Sequence, residues 1–109
     1  MNLYHTTDAD GITEINPCET RMQELIDELD DLDPDTVDHP DVSLIHDTSG
    51  WMITLYPKGI ASLENFEDAD EGPKHIKGVN RKTALKLWQL LASGDIDSVK
   101  TSPWSNKIG

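Results

Sequence analysis

VSLIHDTSGWMITLYPKGIASLENF, residues 42–66, decides how this chain folds. Three runs, 42–47, 51–56 and 60–66, are separated by the turn-forming triplets TSG and PKG. Runs of this length, joined by short glycine-containing turns, pair as consecutive antiparallel strands. With a three-residue loop at each turn, Ile45, Trp51, Ile53, Leu55, Ala61 and Leu63 share one face, because side chains alternate along a strand. The other face then carries Val42, Leu44, His46, Met52, Thr54, Tyr56, Ser62 and Glu64. The first set is expected to form the core, since an antiparallel sheet has to bury only one face.

Downstream, EDADEGP at 67–73 reads as a loop by its composition. Asn80 is a good N-cap for a helix from Arg81 to Ser93, with Ala84, Leu85, Leu87, Trp88, Leu90, Leu91 and Ala92 as a broad apolar arc. Gly94 is the expected stop. Asp95 caps a further short turn carrying Ile96 and Val99, and the 100–109 tail brings Trp104 over one end of the core. Upstream, Glu19 to Leu32 reads as a helix, because Met22, Leu25, Ile26, Leu29 and Leu32 form one stripe at helical spacing. The alternation in ITEIN, 12–16, suits a short edge strand, and the polar residues 1–11 are expected to fray.

These elements predict an α+β fold in a single domain, 1–109. Its parts are a strand and acidic helix at 12–33, a meander at 42–66, a helix with a short turn at 80–99, and a tail. The antiparallel meander has three or four strands and is packed by the C-terminal amphipathic helix, with the acidic helix alongside. Length and a hydrophobic content of 36% suit a globular domain. There is no apolar run of the ~20 residues that cross a bilayer, and the start MNLYHTTDADG does not read as a signal peptide. Cys18 is the one cysteine, which excludes an internal disulfide. The expected setting is cytoplasmic.

The net charge of −12 is unevenly spread. Residues 1–47 hold 14 acids against Arg21 alone, whereas the other 62 residues hold seven acids and eight bases. Binding nucleic acid rests on neutralising phosphates, so the front half repels it. A basic protein is attracted instead, and faster at low salt. Asp30, Asp31 and Asp33 lie at the end of the first helix, where the dipole disfavours acids. Part of the charge therefore serves something other than the helix, or simply solubility.

A search for chemistry ends without a constellation. Asp31, Asp33 and Asp35 match the first ligands of a calcium loop, but Thr36 stands where the turn needs glycine and Val42 where a glutamate must close the cage. His5, His39, His46 and His75 form no helical metal pair, and His46 on a strand reads as a partly buried side chain with a local hydrogen bond. Neither a nucleophile motif nor a phosphate-cradling glycine loop appears. The expectation is a protein that is not an enzyme and takes no cofactor or metal.

The order of elements, with "HPDVSLIHDTSGWMITLYPKG" at 39–59, resembles small immunity proteins of bacterial polymorphic toxin systems, the type that neutralises deaminase-class toxins. "GVNRKTALKLWQLLASGDIDSVKTSPW", 78–104, also looks like the end of a group of small uncharacterised bacterial proteins. The resemblance implies a non-enzymatic α+β binder, and together with the acidic surface it gives the expectation of an inhibitor that occludes a basic, nucleic-acid-acting toxin. The partner-binding residues expected are Glu24, Asp27, Glu28, Asp30, Asp31 and Asp33 for steering, with Trp51, Met52 and Tyr56 as apolar anchors. One alternative is a homodimeric accessory protein that buries Val42, Leu44, Met52, Tyr56 and Ile60 between chains. Another is a small metal-binding module.

Overall fold

A computed structural model describes residues 3–31, 41–57, 59–65, 74–101 and 104. Among these residues it is an α+β arrangement of six strands and three α-helices. The strands are β1 (Tyr4–Thr7), β2 (Thr13–Ile15), β3 (Val42–His46), β4 (Trp51–Tyr56), β5 (Ile60–Asn65) and β6 (Lys74–Ile76). The helices are α1 (Glu19–Asp27), continued by a 3-10 turn over Glu28–Asp31, then α2 (Arg81–Ala92) and α3 (Ile96–Lys100). The sheet order is β2-β1-β3-β4-β5-β6, and every neighbouring pair is antiparallel.

The predicted meander is present as β3, β4 and β5, but it is the middle of a wider sheet. One extension comes from residues 4–7, which the polar composition had marked as a frayed end. They form β1 instead, folded into a hairpin with β2. Asp8 builds the turn by accepting from the backbone N–H groups of Asp10 and Ile12, both at 2.9 Å, and Gly11 takes a left-handed φ of 82°. That is the geometry an Asp and Gly pair supplies to a tight turn. The other extension is β6, on the basic segment 74–76. Lysine on an outer strand suits an edge, because its charge discourages further pairing.

The meander's register corrects the predicted faces. β3 and β4 close at His46 opposite Trp51, leaving a four-residue loop of Asp47, Thr48, Ser49 and Gly50 rather than TSG alone. Gly50 has φ 77° and its N–H donates to the His46 carbonyl. Ser49 Oγ lies 2.7 Å from His46 Nδ1, the local hydrogen bond expected of that histidine. One extra loop residue turns every β3 side chain over. Val42 and Leu44, expected on the mixed face, are therefore core, and Ile45 leaves it. The β4–β5 loop is the predicted PKG triplet, with Tyr56 opposite Ile60, so Trp51, Ile53, Leu55, Ala61 and Leu63 keep the expected face.

All three helices give their buried side chains to the cluster on that face. Trp88 has no exposed surface, and its indole N–H donates to the Ile53 carbonyl at 3.2 Å. Asn80 Oδ1 accepts from the Thr83 N–H at 2.8 Å, capping α2 as predicted, and Gly94 ends it with φ 81°. Asp95 caps α3 through the Ser98 N–H and hydroxyl. Trp104 lies against the core and donates to the Val99 carbonyl at 2.8 Å. The α-helical part of the acidic helix ends at Asp27, earlier than the predicted Leu32, and tightens into the 3-10 turn. Its last turn has no basic residue, and clustered acids oppose the dipole there. Leu32, the 67–73 loop and most of the tail lie outside the described residues.

Candidate functional site

The acidic helix places its charges by simple periodicity. Met22, Leu25 and Ile26 point into the core, so Glu24 and Glu28 emerge on the solvent side, where both are exposed. Asp27, between these faces, accepts from Arg81 Nη1 at 2.9 Å and from Gln23 Nε2 at 3.0 Å. Neither Glu24 nor Glu28 forms an ion pair among the described residues, where the acid–base pairs include His5–Asp47, Arg21–Glu14 and Arg81–Asp27. Asp30 and Asp31 lie in the 3-10 turn that continues the helix. Asp33 lies outside the described residues.

Arg21 is the one base of the front half, and it is already engaged. Its Nε donates to Glu14 Oε2 on β2 at 2.8 Å. That hydrogen bond holds the guanidinium above its ordinary pKa, against some desolvation, with Glu28 and Glu24 adding attraction. The base therefore tethers α1 to the sheet edge and leaves the surface acidic.

The three expected apolar anchors do not share a face. Met52 and Tyr56 lie half-buried on the sheet side away from the helices, with Ile45 as a neighbour. Trp51 has the opposite parity and is 7% exposed, with Lys100 Nζ 4.7 Å from its ring centroid. It is a core residue whose outer side is covered by a cation–π contact with α3. Val42 and Leu44 are fully enclosed within one chain, which removes them from any face shared between two copies.

Sequence reasoning did not single out two polar atoms that the fold buries. The Thr6 hydroxyl on β1 and Nδ1 of His75 on β6 have no hydrogen-bond partner among the described residues. Thr6 points to the core side beside Leu44, a consequence of β1 joining the sheet. No signal in YHTT announces this, because the strand carries no apolar alternation. Among the described residues no group of three His, Cys, Asp or Glu side chains is placed to hold a metal ion. No described helix is long and apolar enough to cross a membrane.

Fold and surface together define a two-layer α+β domain with an acidic helix on its helical side. No family model, curated protein or solved structure matches the chain.

Proposed function

We propose that the chain is a protein-binding inhibitor of immunity type, which occludes a basic toxin or effector through its acidic helix. The observation that carries the reading is the outward placement of Glu24 and Glu28, without an ion pair among the described residues, beside a partly engaged Asp27. The front half carries 14 acids against Arg21 alone, and the Arg21 guanidinium is already bound to Glu14. Such a surface raises the encounter rate with a cationic protein and repels nucleic acid. Asp30, Asp31 and Asp33 extend the steering charge along the chain, while Met52 and Tyr56, half-buried on the far face of the sheet, offer apolar contact to a partner that reaches round its edge. Occlusion is steric and electrostatic, and involves neither cofactor nor metal.

The experiment is co-expression with the protein encoded beside this gene. Growth arrest by that protein, relieved by this chain, is the expected result. Relief should weaken when Glu24, Asp27, Glu28, Asp30 and Asp31 are changed to their amides. A neighbour that is harmless, or arrest that persists, contradicts the proposal.

A further inference from the structure

The sheet face turned away from the helices is built as a ridge beside a trough. Antiparallel register sets Thr13, Thr7, Ser43, Thr54 and Ser62 in one row, which ends at His75 on β6. The neighbouring row, two residues along each strand and so on the same face, is Ile15, His5, Ile45, Met52 and Glu64. The first row is short and sunken, with Thr54 and Ser62 only 6% and 5% exposed. The second is bulkier and stands above it. Ile15 is 72% exposed, and Ile45, Met52 and Glu64 are half-buried.

This face is also nearly free of charge, in a chain that carries 21 acids. Among the described strand residues Glu64 is its one acid, and it holds no lysine or arginine. Glu14 and Lys74 have the opposite parity and lie on the helical side. All three helices give their buried side chains to that other side. A net charge of −12 drives two copies apart, except where they meet on a surface without like charges. The open sheet face is such a surface.

We infer that two copies of the chain pair through this face, about a two-fold axis that lies between the sheets and runs across the strands. Each strand then lies over its own counterpart, and the ridge of either copy enters the trough of the other. Ile45 sits over Ser43 of the second copy and Met52 over its Thr54. One patch supplies both ridge and trough, as a two-fold interface requires. The same operation sets Glu64 one strand away from His75 of the second copy, and within a single chain Nδ1 of His75 has no hydrogen-bond partner among the described residues. A face of six strands is about 25–30 Å wide. The pair therefore buries on the order of 1,000 Å², the lower end of specific interfaces, and is a weak dimer. Both acidic helices remain outward, so the inference goes beyond the proposed inhibition, and a target that reaches round to Met52 competes with the second copy.

Sedimentation equilibrium of the full chain tests it, from about 10 μM to 1 mM in about 0.15 M salt. A reversible passage from monomer to dimer is expected, and Cys18→Ser should preserve it, since the link is not a disulfide. On dilution of the wild-type chain, backbone amide shifts should move at Ser43, Ile45, Met52 and Thr54. Ile45→Asp should abolish the dimer, and Glu64→Lys should weaken it about tenfold. In the Cys18→Ser background, chains with Ser43→Cys mixed with chains with Ile45→Cys should oxidise mainly to the mixed disulfide. A monomer at every concentration overturns the inference, as does a dimer whose dilution shifts fall on α1 or α2. A statistical or like-with-like yield of disulfides overturns the ridge-in-trough register. These measurements contain no target protein, so their failure is distinct from failure of the inhibitor reading, which the relief of growth arrest decides.

Discussion

Arg81 Nη1 donates to Asp27 Oδ1 at 2.9 Å, joining the first residue of α2 to the last residue of α1. Each residue sits at the helix end where its charge opposes the dipole. Pairing them offsets two local penalties with one contact and ties the two helix ends together.

The pair is about half exposed on both sides, which limits its contribution. A double-mutant cycle with Asp27→Asn and Arg81→Gln should give a coupling of about 0.2–1 kcal/mol. It should shrink as salt is raised from 0.01 M to 1 M. Urea unfolding of the four proteins measures it.

Register predicts an asymmetry between adjacent residues. Leu44 has no exposed surface, so Leu44→Ala should cost about 2–5 kcal/mol. Ile45, the next residue, lies half-buried on the other face, and Ile45→Thr should cost less than half as much. Equal losses in denaturant melts would show that the four-residue β3–β4 loop is wrong.

That loop also shows what the sequence left open. VSLIH places apolar residues at both parities, so alternation alone did not orient β3, and the choice between a loop of TSG and one of DTSG decided it. PKG offered no such choice, and β4 and β5 followed the expected faces. The caps at Asn80, Gly94 and Asp95 were legible because each acts on neighbours within a few residues. β1 and β6 were not, since YHTT and KHI owe their strands to distant partners in β3 and β5. The acidic helix was visible as a stripe and its complement.

Two glycines with left-handed φ separate backbone conformation from close approach. Gly59→Ala should destabilise by more than about 1 kcal/mol, because a Cβ there meets the Val79 backbone. Gly78→Ala has a similar φ of +71° but open space around it, and should cost less. Thermal unfolding of the two variants under the same conditions checks the order.

Trp88 is the central side chain of the core. Trp88→Ala should cost about 3–5 kcal/mol, and Trp88→Phe less, although the latter leaves the Ile53 carbonyl without its indole donor. Denaturant midpoints of both variants provide the comparison.

Alkaline pH gives a further test. Burial pushes the Tyr4 phenol above its usual 10.0, with charge on Cys18 adding to the effect. Its hydroxyl donates to the Pro17 carbonyl at 2.8 Å. The folded chain thus holds this proton more tightly than the unfolded chain, so the stabilisation is complete below pH 10 and declines as pH rises through the folded pKa. Tyr4→Phe should remove that part of the slope in urea midpoints taken from pH 9 to 11.

The most direct measurement is the association rate of the chain with the basic partner proposed for it, taken across a salt series with wild type and with Glu24→Gln/Glu28→Gln. These two carboxylates lie in solvent, so their loss should leave the fold intact, slow association at low salt, and flatten the dependence of rate on salt. An unchanged rate with an unchanged salt slope would mean that the exposed charge of α1 does not guide a cationic partner.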